Sequence, residues 1–118
     1  MASLDLLGHV EATELAPGVF VATARGPMDG RVVGELRDVL VPLAAADGSV
    51  VVLDLIDAHC LDDEALAVIS LAAHLARRRG DRLRVATAIA GIVSVIREWG
   101  LDELVTIYGT VREALGRD

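Results

Sequence analysis

The sequence predicts a single α/β domain over residues 1–118, a mostly parallel mixed sheet with helices packed on it. Length supports one domain, since 118 residues are enough to bury a core but too few for two. Composition supports the class. Hydrophobic residues make up 53% and aromatics only 3%, so the core must be built from Val, Leu, Ile and Ala, the residues of β-branched strands and Ala/Leu helices. The third observation is the order of periodicities. Strand-like runs alternate with helix-like ones as β-β-α-β-α-β-α-β-α, and parallel strands need such crossover helices.

Each element has its own warrant. Leu4 to Leu15 mixes apolar and polar residues as a strand of modest quality, and "APG" at 16–18 turns the chain. "VFVATARG", Val19 to Gly26, alternates as a half-buried strand, so the two form a hairpin. Asp29 in "PMDG" is placed to cap a helix with apolar positions Val32, Val33, Leu36, Val39, Leu40 and Leu43. Pro42 should end or kink that helix, because it cannot donate to the carbonyl of Asp38. After the turn "ADG", the run Val50 to Ile56 is apolar throughout, as a central strand covered on both faces should be. A helix from Asp62 or Asp63 to Arg79 follows, stopped by Gly80. "RLRVATA" at 82–88 is a strand, "GIVSVIREWG" at 91–100 a helix, and "LVTIY" at 104–108 a short strand. "GTVREALGRD" closes the chain as a helix capped by Thr110. There is no internal repeat, low-complexity run or linker.

Charge and cysteine content exclude several functions. The net charge is -7, and a polyanion-binding surface needs a basic stripe that this chain lacks. Its one basic cluster, Arg77 to Arg79, stands where cations favour a helix C-terminus. A lone Cys60 permits no internal disulfide and no cysteine-based zinc site, and it reads as a small core hydrophobe. No stretch is long and apolar enough to span a bilayer, and the N-terminus lacks the basic and apolar regions of a secretory signal. The expectation is a soluble cytoplasmic protein, with no nucleic acid or membrane partner.

The segment "VVLDLIDAHCLDDEAL" carries the chemistry in question, because Asp62, Asp63 and Glu64 stand where a buried strand hands over to a helix. One explanation is structural. Asp62 caps the helix, while each charge in its first turn gains about 0.3–1 kcal/mol from the macrodipole. A catalytic role fits poorly, since adjacent helical residues point about 100° apart and do not converge. A metal site could draw on His59, Asp62, Asp63 and His74, but His74 lies three turns on, roughly 16 Å away. No phosphate-loop motif occurs, and no catalytic residue, metal or cofactor is expected.

The helix itself points to binding. Leu66, Ile69, Ala73 and Ala76, flanked by Ala65, Val68, Ala72 and Leu75, form its core stripe. Asp63, Ala67, Ser70, Leu71, His74 and Arg78 remain for solvent. Ordinary exposed faces carry Glu and Lys. A flat face of small and apolar residues below an acidic tip suits docking of a partner. Asp29 should lie at the same end of the sheet as Asp62, because both follow strand C-termini. Trp99 and Tyr108 are expected to pack the last helices onto the sheet.

The element order, with "GPMD", "VVLDL" and "EWGLDELVTIYGTVREAL" in sequence, resembles a STAS domain from about Val19 to Leu115. More narrowly it is similar to the bacterial anti-anti-sigma factors. In that family an Asp-Ser-Ser/Thr-Gly motif follows the third strand, and its first serine is phosphorylated by an anti-sigma factor that is also a kinase. The resemblance implies that Asp62 matches the motif's aspartate, Asp63 its phosphorylated serine, Glu64 the next position and Ala65 the glycine. This chain therefore departs from the pattern at the functional position. Asp63 and Glu64 carry about the charge of a phosphoserine permanently, which would hold the domain in a phosphorylated-like state. Alternatively the switch has been lost and the partner is read by shape.

The resulting expectation is a non-enzymatic, anti-anti-sigma-like regulator that binds an anti-sigma factor or related kinase-like protein, with room for a homodimer. Its contacts would be Asp62, Asp63, Glu64, Ala67, Ser70, Leu71, His74, Arg78 and Asp29. A second reading is a domain that senses a small molecule, a nucleotide or lipid, at the strand C-terminal ends, where ligands sit in open α/β sheets.

Overall fold

A computed structural model describes residues 7–116. The elements run β1 (His9–Ala16), β2 (Val19–Met28), α1 (Val33–Ala45), β3 (Val50–Asp54), β4 (Ala58–Leu61), α2 (Asp63–Arg78), β5 (Leu83–Ala86), α3 (Ala90–Glu98), a 3₁₀ turn (Leu101–Glu103), β6 (Val105–Tyr108) and α4 (Val111–Ala114). The strands lie in the order β1-β2-β3-β5-β6, with β4 paired to β2 off this path. Among the described residues only β1–β2 is antiparallel, and every other pairing is parallel. The mixed α/β fold is as the sequence predicts.

Alternation along the strands divides the core in two. Ala22, Ala24, Val51, Leu53, Leu83, Val85 and Val105 face the large cluster, where they meet Leu36 and Leu40 of α1, Leu66 and Ile69 of α2, and Ile92 and Ile96 of α3. Val21, Val52 and Ala86 face the other way, against Ala114 of α4, with Tyr108, Val111 and Leu115 packed around them. Arginines tie outlying elements to this frame. The Arg84 guanidinium donates to the Ala114 carbonyl at 2.7 Å and holds α4 on the sheet. Arg79 Nε donates to the Ala44 carbonyl at 2.7 Å, joining the ends of α1 and α2.

Several elements differ from their expected form. Helix α1 continues through Pro42 to Ala45. Pro42 and Asp38 are both exposed, so the bond lost at the Asp38 carbonyl lies on the solvent side and no core contact is disturbed. Asp29 does not cap α1, whose first residue is Val33. Its carboxylate instead accepts the backbone N–H of Arg31 at 3.0 Å and the Arg31 guanidinium at 3.0 and 3.2 Å, closing a turn ahead of the helix. Strand β3 stops at Asp54, where Asp54 Oδ1 accepts the Ile56 N–H at 3.0 Å and turns the chain.

Strand β4 was not expected at all. It continues the far end of β2, which turns at Gly26 (φ 77°) to pair with it. One residue of β2 faces two of β4 at His59 and Cys60, and this bulge breaks the alternation. Both His59 and Cys60 are therefore exposed, so Cys60 is not the core residue anticipated. Trp99 also departs from expectation. It lies almost a full turn past Ile96, the last buried residue of α3, and is 43% exposed, whereas Tyr108 does join the smaller core. The part of the first predicted strand at 4–6 and the end of the last predicted helix at 117–118 lie outside the described residues.

Candidate functional site

The site begins with β4. The N–H of Asp62 donates to the Met28 carbonyl at 3.1 Å, extending the β2–β4 pairing into the first residue before α2. Asp62 is then the cap. Its extended backbone (φ -87°, ψ 178°) turns Oδ1 onto the Ala65 N–H at 2.9 Å. Asp63 and Glu64 occupy the first turn and are exposed, and Arg77 and Arg78 occupy the last. Charge of both signs thus complements the helix dipole. Local sequence and strand pairing together fix where the acidic tip stands.

The division of faces on α2 matches the sequence. Ala65, Leu66, Val68, Ile69, Ala72, Ala73 and Ala76 are buried. Asp63, Ala67, Leu71, His74 and Arg78 are exposed, and Ser70 is half-buried. Leu71 is 46% exposed, an unusual placement for a leucine in the middle of a two-sided helix. His74 Nδ1 donates to the Ser70 carbonyl at 2.8 Å, which holds the imidazole along its own helix.

Helix α1 completes the surface. A shallow groove of about 300 Å³ runs between α1 and α2, lined by Arg37, Glu64, Ala67, Val68 and Leu71. Arg37 was not among the expected residues. Its helical spacing puts it beside the core stripe of α1, but only the packing of α1 on α2 brings it to Glu64. The turn after β2 also reaches the tip, for a Cβ at Gly30 would lie 3.1 Å from Glu64 Oε2. Asp29 accordingly stands at the same end as Asp62, although its carboxylate is engaged by Arg31, which holds it below the usual carboxylate range.

The groove includes neither Asp29, Asp62 nor Asp63. Among the described residues no group of three or more His, Cys, Asp or Glu side chains is placed to hold a metal ion, so His59, Asp62, Asp63 and His74 are not brought together as ligands. Also among the described residues, no helix is long and apolar enough to cross a membrane. What the arrangement offers is a surface: a fixed acidic tip, an apolar floor and cations beside and beyond it.

Comparisons with known proteins agree with this architecture. The fold is similar to the crystal structure of an anti-sigma factor antagonist from Mycobacterium paratuberculosis, with a TM-score of 0.79 and 20% identity over 93% of this chain and 92% of that one. It is also similar to the anti-sigma factor antagonist SpoIIAA of Bacillus in two forms. The unphosphorylated form gives a TM-score of 0.74 at 10% identity, covering 93% of this chain and 99% of that one. The phosphorylated form gives 0.72 at 12% identity, covering 92% and 97%. No curated protein matches the sequence significantly. At the level of sequence, residues 12–114 match the STAS domain, from the middle of β1 to the end of α4. The chain belongs to the STAS domain family.

Proposed function

We propose that this domain is a non-enzymatic regulator that binds an anti-sigma factor or a related kinase-like protein through the tip and outer face of α2. The observation that carries the reading is Leu71, half-exposed on a face of small residues directly below Asp63 and Glu64, neither of which makes an ion pair among the described residues. Apolar area of this kind is retained at contact surfaces, and its polar rim sets register. The similarity in fold to anti-sigma factor antagonists supplies the class of partner.

Asp63 takes the place of the phosphorylated serine in this reading. Both it and Glu64 point into solvent, so their charge is displayed to a partner at all times. A phosphoserine at a helix N-terminus would bring about the same charge, roughly -1.5 to -2, on demand. The domain therefore holds permanently what its phosphorylated relatives acquire, and it takes no part in a serine phosphorylation cycle at this position.

Calorimetric titration of the purified chain against an anti-sigma factor kinase from the same cell tests both parts. Leu71→Asp should weaken binding by at least tenfold, about 1.4 kcal/mol, while Leu15→Asp, at an exposed leucine remote from α2, should not. Asp63→Ser should tighten binding and become a substrate for phosphorylation with ATP. The proposal fails if Leu71→Asp binds as well as the parent chain. The fixed-charge part fails if Asp63→Ser binds no better.

A further inference from the structure

The exposed face of α2 carries acids at one end, cations at the other and an exposed leucine at its centre. Its residues are Asp63, Ala67, Ser70, Leu71, His74 and Arg78, and reversing the helix exchanges Asp63 with Arg78, Ala67 with His74, and Ser70 with Leu71. The set maps onto itself under reversal. We propose that this face docks a second copy of the same chain, with the two α2 helices antiparallel about a two-fold axis between Ser70 and Leu71.

A two-fold interface requires that when one residue meets a second, the second also meets the first. The α2 face satisfies this in charge as well as position. Its acids are at the N-terminal end and its cations at the C-terminal end, so parallel packing sets like charges together and antiparallel packing sets unlike ones together. The helix dipoles favour the same antiparallel arrangement. Neither Asp63 nor Arg78 makes a hydrogen bond or ion pair among the described residues, so both charges are left for an outside group.

The centre of the face is built for close approach. Ala67 is small, and His74 is held along the helix by its bond to the Ser70 carbonyl. Leu71 is 46% exposed, and about an axis between Ser70 and Leu71 the leucines of the two copies stand side by side at the centre of the pair. The sixteen residues of α2 span about 24 Å, so one helix pair buries less than a standard interface of roughly 1,200–2,000 Å². The net charge of -7 on each copy also opposes association. The dimer is therefore weak and reversible. It covers the surface assigned above to the partner, so that self-pairing and partner binding exclude one another. That exclusion rests on the proposed function; the pairing does not.

Sedimentation equilibrium of the chain alone, in about 0.15 M salt to screen long-range charge, tests the pairing. The parent chain should show a monomer–dimer equilibrium that loading concentration shifts. Asp63→Arg sets an arginine against Arg78 of the other copy, and Arg78→Asp sets an aspartate against its Asp63. Each alone should weaken self-association about tenfold, because two symmetric exposed pairs turn from attraction to repulsion. An equimolar mixture of the two should associate at least as strongly as the parent chain, since every end then meets its opposite. Leu71→Glu should abolish the dimer. Circular dichroism melting checks that all variants are folded. A parent chain that stays monomeric up to about 1 mM overturns the proposal, given the affinity of even small interfaces. So does a dimer that survives Leu71→Glu, or a mixture that associates no better than its separate components. No partner protein is present, so none of these results bears on the calorimetric test above, and its failure would leave the dimer standing.

Discussion

Replacing Asp62 with alanine separates the structural acid of the tip from the exposed ones. The Asp62 carboxylate accepts the Ala65 N–H at 2.9 Å, and Ala65 is wholly buried, so water cannot readily take over the bond. Loss of an N-cap costs about 0.5–2 kcal/mol, and a buried donor puts this one near 1.5 kcal/mol. With 118 residues at about 2.1 cal/mol/K each, the entropy of unfolding is about 250 cal/mol/K, so the melting temperature should fall by about 6 °C. Asp62→Asn keeps an acceptor oxygen and loses only charge, and should fall by no more than about 2 °C. Asp63→Asn breaks no bond and should also stay within about 2 °C. Differential scanning calorimetry of the three variants at neutral pH reads all of this. Equal losses for Asp62→Ala and Asp62→Asn would refute the capping argument, because the hydrogen bond would then not be the term that matters.

Three further outcomes are expected. Arg79→Met keeps most of the side-chain volume but removes the donor to the Ala44 carbonyl; it should cost about 1.5–3 kcal/mol in urea unfolding and speed amide exchange in the last turn of α1. Gly8→Ala should cost about 1–3 kcal/mol in the same assay, because its methyl would meet the Pro27 carbonyl and the side chains of Met28 and Val32, and backbone cannot yield as a flexible side chain does. For Asp29, the Arg31 side chain and then its N–H favour the carboxylate and lower the folded pKa. A depressed folded pKa means that the turn's contribution is present above the unfolded value and lost as pH falls through the folded one. A carboxyl carbon NMR titration should therefore place the Asp29 midpoint below that of an unfolded-peptide aspartate, and Arg31→Ala should return it upward.

The α2 helix was the most legible part of the chain. Its cap, its first and last turns and its two faces all follow from local spacing, because sixteen residues sample the helical period several times. Strand β4 was not legible. It has four residues, its bulge removes the alternation that marks a strand, and its pairing depends on a turn in β2 more than thirty residues earlier. Pro42 does not end α1 for a related reason: the penalty it carries depends on which side of the helix faces water, and that is a tertiary property. Arg37 illustrates the limit at the site itself. Periodicity places it on α1 but cannot say that α1 lies next to α2, so a groove shared by two helices has no signature in either.

The turn in β2 at Gly26 bears on the order in which the molecule can open. Beyond that turn β2 pairs with β4, with Leu7 and Gly8 packed beside it, while before it β2 pairs with β1 and β3 at the centre of the sheet. The four-residue pairing can detach without breaking a rung of the central ladder, and it would carry the Asp62 anchor on the Met28 carbonyl with it. The protein therefore has a seam. Amide protons at 58–62 should exchange through a local opening, at lower free energy than those of Val51 to Leu53, which wait for global unfolding. The acidic tip, proposed above as a partner contact, is in this way mounted on a joint that can open while the central strands stay closed.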